Sequence, residues 1–395
     1  MIAIGALIHS RNDRSRGASA RFGGKVAVVV PAYNEEKVIC ATIEGLLSST
    51  VRDSLEIVVV DDGSTDATSA VVKNAFRETA QVTVYRKQNG GKASALNFGI
   101  QRTEADIVVA IDGDTILLPE AIERLAAHFA DPTVGAVAGT VSVGNVKNLL
   151  TRFQALEYVT SQNMDRRAFA LLNAINVVPG AIGAWRKQAV NEVGGYSPVT
   201  LAEDADLTIE LERRGWRVVV EPRAVALTEA PETLRAFLKQ RFRWTFGTVQ
   251  VAYKHATTFW RLPSNLSLIT IPNILVFQIA FSVLAPVFDT LLLYTSLLLA
   301  IGVETGETLH ILVSYWLFFQ TIDVVGAVIG VAISRDVSAW RLLPLVVVQR
   351  FSYRYLLYTV TARAILAAIK GRVVGWGKLI RTGGVTHSLA RGFHS

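Results

Sequence analysis

Between residues 25 and 222, short apolar runs rich in Val and Ile alternate with segments whose apolar positions recur every three or four residues. The runs at 26–30, 57–60, 82–85, 107–111 and 134–143 are nearly continuous rather than alternating, which predicts strands buried on both faces. The stretches between them, 36–47, 66–77, 92–101 and 119–129, carry helical periodicity. This alternation predicts an α/β domain, a mainly parallel sheet with helices on both faces. Such sheets bind ligands at the carboxyl ends of strands, beside a switch in strand order. The polar clusters of this chain fall at those ends.

The pattern changes after residue 234. Residues 235–260 are helical in period, with Phe237, Phe242, Trp244, Phe246, Tyr253, Phe259 and Trp260 interleaved with Lys239, Arg241, Arg243 and Lys254, and Arg261 just beyond. A basic, aromatic stretch of this kind predicts a helix at a membrane surface, with a surface helix of the preceding domain as the alternative. Long apolar runs follow at 266–302, 309–334 and 342–369. A span needs ~20 residues, and Pro272 and Pro286 mark kink points in the first run. Arg350, Arg354 and Arg363 are costly at mid-bilayer, so the third run either lines a polar path or lies at the interface. Glu304 and Glu307 outside, with basic flanks inside, fit two spans plus an interfacial or re-entrant third run, and four spans stay open. The division expected is an N-terminal segment (1–24), a catalytic domain (25–230), an amphipathic segment (231–265), a membrane region (266–370) and a basic cytosolic tail (371–395).

Composition narrows the class. Of 395 residues, 51% are hydrophobic and 18% charged, which excludes a disordered chain. The single cysteine, Cys40, excludes a disulfide scaffold and a Cys-rich metal site, and points to a reducing compartment. Forty Lys+Arg against 33 Asp+Glu leave a net charge of +7. The basic residues crowd around the apolar runs and the C-terminus (Lys370, Arg372, Lys378, Arg381, Arg391), as on the cytoplasmic face of a bilayer, and no nucleic-acid partner is expected. Residues 2–8 are apolar and precede Arg11, Arg14 and Arg16, the wrong order for a signal peptide and too short to span. The expectation is a multi-pass protein of the cell (inner or plasma) membrane with its catalytic domain in the cytoplasm.

The candidate chemistry sits at the strand ends. Pro31-Ala32-Tyr33-Asn34-Glu35-Glu36 follows the first strand and reads as a helix-capping loop or a ligand contact. Asp61-Asp62-Gly63-Ser64-Thr65-Asp66 follows the second, either as an Asp-Gly turn or as carboxylates accepting hydrogen bonds from a base or ribose. In Asn89-Gly90-Gly91-Lys92, glycines allow close backbone approach, and Lys92 adds charge where a helix start favours an anion; the loop lacks Walker spacing. Asp112-Gly113-Asp114 sets two carboxylates one residue apart, hard oxygen donors suited to Mg²⁺ or Mn²⁺ on a diphosphate. Glu203-Asp204 is either a helix cap or a source of a general base. Gln240, Arg243 and Trp244 share one helix face: Arg243 suits a phosphate and Trp244 a sugar ring, with an Arg/Trp membrane anchor as the alternative.

Taken in order, Asp61-Asp62, Asp112-Gly113-Asp114, Glu203-Asp204 and Gln240-Arg241-Phe242-Arg243-Trp244, with apolar segments behind them, resemble the processive family 2 glycosyltransferases. These include poly-N-acetylglucosamine, chitin-oligosaccharide, cellulose and hyaluronan synthases. The resemblance covers roughly residues 26–244 and implies a GT-A-type domain followed by transmembrane helices. It implies that Asp61 or Asp62 contacts the uracil of a UDP-sugar, that Lys92 lies near the nucleotide, that Asp112 approaches the nucleotide-sugar, and that Asp114 ligates the metal. Asp204, beside Glu203, is then the base that deprotonates the acceptor hydroxyl. Gln240 and Arg243 bind the diphosphate and Trp244 stacks beneath the acceptor sugar. Trp376-Gly377-Lys378 matches two residues of a gating motif of hyaluronan and chitin synthases. Several relatives have a span before the catalytic domain that this sequence lacks. Residues 228–254 look like members fused to, or encoded beside, polysaccharide deacetylases, so a deacetylase or export partner encoded separately is expected.

The reaction expected is a single in-line displacement with inversion, giving a β-linkage to a growing polysaccharide, with N-acetylglucosamine the donor sugar favoured by resemblance. A non-processive enzyme acting on a lipid acceptor, of ceramide or polyprenyl-phosphate type, is the alternative. A membrane scaffold or transporter is disfavoured because the acids cluster ahead of the apolar runs, which hold little beyond Asp289 and Asp323.

Overall fold

The computed structural model describes residues 2–15, 22–256, 265–303, 307–334 and 336–371. The strands among them are β1 (Val26–Ala32), β2 (Leu55–Asp61), β3 (Val82–Arg86), β4 (Ile107–Ala110), β5 (Ile116–Leu117), β6 (Val134–Val143), β7 (Gly183–Arg186) and β8 (Arg217–Thr228). They form one sheet in the order β3-β2-β1-β4-β7-β6-β8-β5. The five expected strands all form. β1 pairs in parallel with β2 and β4, and β2 with β3. The mixed character comes from β7, antiparallel to both β4 and β6, and from β5, antiparallel to β8.

The uniform Val/Ile runs of β1, β2 and β4 follow from their burial. One set of their side chains packs with Ile39, Ile43, Leu46, Ile122 and Leu125 on one face of the sheet. The alternate set packs with Leu96, Ile100, Trp185 and Leu207 on the other. A strand covered on both faces has no polar side to show. Because β2 and β4 flank β1 on opposite sides, the strand order switches at β1, and ligands bind at the carboxyl ends of strands beside such a switch in open α/β sheets.

Helix Leu234–His255 was expected at a membrane surface. One side of it is packed by protein: Phe237 packs with Phe153 and Tyr353, and Phe246 with Ala364 and Ala367 of helix Tyr353–Ile369, while Leu234 and Tyr253 are exposed. The apolar region lies directly against the catalytic domain. Gly330 of helix Glu307–Ser334 approaches Thr160 so closely that an added Cβ would stand 3.2 Å from its Cα.

Among the described residues one helix, Leu309–Ser334, is long and apolar enough to cross a membrane. The first apolar run is helical from Asn273 through Ala300, a wider-turned segment Asn273–Ala280 leading straight into helix Phe281–Ala300. The third is broken into short turns before Tyr353–Ile369. Of the two full spans expected from the apolar runs, one is matched by a helix that meets both length and composition. Ile2–Ser15 is a helix packed on Met164–Ala170, with Ala6 fully buried. Phe259, Trp260, Arg261, Glu304, Trp376-Gly377-Lys378 and the basic tail beyond Gly371 lie outside the described residues.

Candidate active site

The loops leaving β1 and β2 are laced together. Asn34 adopts a left-handed backbone with φ 56°, tolerated by Asn. Its N–H donates to Ser64 Oγ at 2.9 Å, and its Oδ1 accepts from Thr65 N at 2.7 Å. Glu36 Oε2 accepts from Ala67 N at 3.0 Å. This pair of loops forms one rim of a cavity of about 620 Å³.

Adjacent Asp61 and Asp62 do different things. Asp61 turns inward, accepts from Ser64 N at 2.8 Å, pairs with Arg86 at 3.6 Å, and is absent from the cavity wall. Asp62 lines the cavity and grips the glycine-rich loop, accepting from Lys87 Nζ at 2.7 Å, Gly91 N at 2.8 Å and Gly90 N at 3.1 Å. Gly91 stands at φ 84°, a left-handed position that suits glycine.

Lys92, at the start of the next helix, ties three elements together. Its Nζ is 2.6 Å from Asp112 Oδ1 and 3.2 Å from Glu203 Oε1. Asp204 Oδ2 accepts from Gly180 N at 3.0 Å and its Oδ1 from Ala205 N at 2.9 Å. An added Cβ on Gly180 would stand 2.5 Å from Lys92 Nζ, so a side chain there would push the ammonium aside. Asp114 is buried in the same wall, and a Cβ on neighbouring Gly113 would meet Glu35 Cγ at 3.3 Å.

Burial and charge set the protonation here. Burial works against the Lys92 ammonium, but Asp112, Glu203 and Asp204 overcome it and hold its pKa well above the ordinary lysine value. Burial pushes Glu203 up to about 7 against the pull of Lys92, with Asp204 adding to the rise. Burial likewise raises Asp204, with Lys92 opposing. A carboxylate raised toward neutrality is the kind of group that takes a proton from an alcohol.

The opposite wall comes from helix Leu234–His255. Gln240 is buried there with its Oε1 accepting no hydrogen bond within the described residues, and Arg243 lies one turn further on. Trp244 is 38% exposed, with its ring 4.3 Å from the Arg241 guanidinium and tilted against Tyr158 at 6.5 Å. Arg241, itself buried, is absent from the cavity wall and pairs with half-buried Glu157 at 2.8 Å, which anchors the helix. The cavity wall therefore includes Asp62, Lys92, Asp112, Asp114, Glu203, Asp204, Gln240, Arg243 and Trp244, nine of the ten candidates read from the sequence, and excludes Asp61.

The pattern of strand-end acids matches the family described as "Glycosyltransferase like family 2" over residues 23–247, more than half of the chain. The chain belongs to this family. A poly-beta-1,6-N-acetyl-D-glucosamine synthase of Staphylococcus aureus is 32% identical to this glycosyltransferase over 227 residues, 57% of the chain and 55% of the relative. A probable glycosyltransferase of Bacillus subtilis, YdaM, is 34% identical over 246 residues, 60% of the chain and 58% of the relative. The chain thus spans little more than half the length of the relatives it matches. A mannosyltransferase from Pyrobaculum calidifontis, solved with GDP-Man and Mn²⁺, shares the fold with a TM-score of 0.57 at 22% identity, over 93% of this chain and 97% of that one.

Sequence reasoning missed part of this glycosyltransferase's cavity. Tyr158, Ser161, Gln162, Asp165 and Arg166, from the helical stretch between β6 and β7, line its far end with Asn176 and Gln278. Burial pushes Asp165 up to about 7, against Arg166. Burial lowers Arg166 to about 10, against the pull of Asp165. These residues lie on no strand end and in no motif, so no local signal marked them. Pro179-Gly180 before β7 was readable as a turn. The tightest His/acid cluster among the described residues, Asp206–Glu210–His255, is not in the cavity wall.

Proposed function

We propose that this glycosyltransferase transfers a sugar, N-acetylglucosamine by likeness to the S. aureus synthase, from a UDP donor to the end of a growing polysaccharide, with inversion to a β-linkage. The observation that carries the reading is the convergence of Asp114, Asp204, Arg243 and Trp244 on one cavity. Nucleotide chemistry belongs at the rim built by Asp62, Asn89 and Gly91. Asp204 takes the proton of the acceptor hydroxyl, with Glu203 beside it tuning its charge. Gln240 and Arg243 stabilise the departing diphosphate. Trp244 and Tyr158 offer flat faces to the acceptor ring, orienting its hydroxyl for attack.

The donor set also fits a divalent cation. Asp112 and Asp114 bring hard carboxylate oxygens to the same wall, with Lys92 engaging one oxygen of Asp112. Asp114, assisted by Asp112, would hold Mg²⁺ or Mn²⁺. When bound, the ion neutralises charge on the leaving diphosphate.

Ser161, Gln162, Asn176 and Gln278 give the far end of the cavity hydroxyl and amide groups. That polarity supports a carbohydrate acceptor over a ceramide or polyprenyl lipid. Helix Leu309–Ser334 supports a seat in the cell membrane; a catalytic domain on the cytoplasmic side and a separately encoded deacetylase or export partner belong to the same proposal by likeness to the family.

The test uses the full chain in lipid nanodiscs, a panel of UDP-sugars with Mg²⁺ or Mn²⁺, and products sized by mass spectrometry. The reading expects UDP release with one donor and a ladder of oligosaccharides. A single-sugar lipid as sole product overturns the acceptor assignment, and no UDP release from any donor overturns the donor assignment. Asp204→Asn is expected to lose ~10²–10⁴ in rate while still binding donor. Asp114→Ala is expected to lose the metal dependence of donor binding.

A further inference from the structure

The two halves of the proposed site ride on two different helices. Glu203 and Asp204 begin helix Glu203–Arg213, and Gln240, Arg243 and Trp244 occupy the middle of Leu234–His255. The distance between base and acceptor platform is therefore set where these helices and the residues leading into the first one meet; beside the apolar packing of Ala205 and Ile209 on Val251 and Ala252, three contacts stand out.

Leu201 N donates to Gln250 Oε1 at 2.9 Å. Gly247 abuts Ala202: an added Cβ would stand 2.8 Å from both Ala202 Cβ and Ala202 N, and 3.0 Å from Leu201 C. The third place is a buried ionic joint. Asp206, 1% exposed, accepts from Lys254 Nζ at 2.7 Å through Oδ2 and pairs with His255 Nε2 at 2.7 Å through Oδ1.

His255 is fully buried, and its second nitrogen faces Arg213 Nη1 at 3.5 Å and Glu210 Oε1 at 3.9 Å. Asp206 is acceptor-only when ionised. His255 Nε2 therefore donates to it, leaving Nδ1 to accept from Arg213. Burial opposes the Asp206 charge, but His255 and Lys254 hold its carboxyl below the usual range.

Although the ligand atoms of Asp206, Glu210 and His255 lie within 4.8 Å of one another, this is no cation site. The Lys254 ammonium already sits 2.7 Å from Asp206, and Arg213 3.1 Å from Glu210.

We propose that the Asp206–His255 joint and the Gly247–Ala202 contact are a positioning device, which sets Asp204 against Trp244 and so aligns the acceptor hydroxyl with the base. His255 and Gly247 touch neither substrate nor reacting atoms; they act through Asp204 and Trp244. The inference rests on reading Asp204 as the base. The nucleotide rim of Asp62, Asn89 and Gly91 is carried by other elements, so donor binding survives while transfer suffers. The acceptor hydroxyl then competes less well with water for the donor sugar.

The experiment compares full-length His255→Leu, His255→Gln, Gly247→Ala and Asp204→Asn in nanodiscs. It measures donor Kd, kcat for transfer, and the ratio of UDP released to sugar transferred. His255→Leu and Gly247→Ala are expected to lose about 10- to 100-fold in kcat, the scale of a misplacement near 1 Å, with donor Kd unchanged and the UDP-to-transfer ratio raised. His255→Gln, which keeps a donor for Asp206, is expected to recover most of the rate.

Gly247→Ala leaves every buried charge in place and carries the test if His255→Leu does not fold. A parallel loss of donor binding and transfer, with no rise in uncoupled UDP release, reduces the joint to simple stability and overturns the proposal. If Asp204→Asn is inactive while His255→Leu and Gly247→Ala transfer normally, the joint alone is refuted. If Asp204→Asn transfers at the wild-type rate, the base assignment fails and the joint loses its purpose with it.

Discussion

Lys92 Nζ lies 2.6 Å from Asp112 Oδ1, so the glycine-rich loop after β3 and the acid loop after β4 meet in an ion pair at the cavity wall. Glu203, at 3.2 Å, makes the same ammonium a link to the base helix. The basic residue expected to meet the nucleotide is thus bound to acids of the cavity wall. Neutralising it strands several carboxylates. Removing one partner of a buried ion pair costs about 3–5 kcal/mol, and the lower end applies because the Asp112 side chain is 34% exposed. Lys92→Met is expected to lower the thermal unfolding temperature and to weaken donor binding. A variant as stable and as tightly binding as wild type would show that the ion pairs contribute neither.

The acid limb of the pH–rate profile follows from the Glu203–Asp204 pair. As the proposed base, Asp204 must be ionised to accept a proton, and burial raises its pKa while pushing Glu203 up to about 7. Raised values mean that protons are retained at higher pH, so transfer is expected to fall as pH drops through about 7 and to level off above it. The two titrate as a pair rather than singly. Glu203→Gln removes a like charge, which is expected to move the limb to lower pH. Asp165, also raised to about 7 in the same cavity, is the control. A limb unmoved by Glu203→Gln but abolished by Asp165→Asn would assign the titration to Asp165.

Arg241 and Arg243 stand two residues apart and separate stability from activity. Arg241, 3% exposed, pairs with Glu157 at 2.8 Å, and Tyr353 also donates to Glu157. Arg241→Met is expected to cost about 3–5 kcal/mol of stability, read as a loss of folded protein in thermal denaturation. Arg243→Met is expected to keep the unfolding temperature and lose ~10²–10³ in transfer rate, the scale of removing one charge-stabilising donor. The reverse pattern would exchange the two roles.

The contrast between those arginines shows what a single sequence holds. β-rich runs announced β1, β2, β3, β4 and β6; in β1, β2 and β4 burial on both faces leaves that local trace, whereas β3, at the sheet edge, is only half-buried. Acids at strand ends announced the site, since the topology sends those ends to one crevice. Direction was less legible. Asp61 and Asp62 look alike on paper, but one turns toward Ser64 and Arg86 while the other meets Lys87 and the Gly90-Gly91 backbone. β7 went unseen because Gly183-Ala184-Trp185-Arg186 has neither alternation nor a branched apolar run. Tyr158 through Arg166 reach the cavity only through packing between β6 and the apolar helices, which no local pattern records.

The same limit hid how the chain tolerates Arg350 and Arg354 in its apolar region. Arg350 Nε lies 3.0 Å from Asp289 Oδ1, Arg350 Nη1 3.6 Å from Asp323 Oδ2, and Arg354 Nη2 2.9 Å from the same Asp323 oxygen. Two cations face two anions, so helices Phe281–Ala300, Glu307–Ser334 and Tyr353–Ile369, with the turn at Arg350, share a neutral polar centre. Asp289 is 2% exposed, so deleting its carboxylate leaves the Arg350 charge partly uncompensated in an apolar setting. Asp289→Leu alone is expected to cost about 3–5 kcal/mol, seen as a low yield of folded protein in the membrane fraction. Replacing a buried pair by apolar residues is often neutral, so Asp289→Leu with Arg350→Met is expected to restore that yield, with Arg354 still paired to Asp323. If the double variant is as poor as the single one, the charges do more than neutralise each other, and a role for Arg350 beyond packing has to follow.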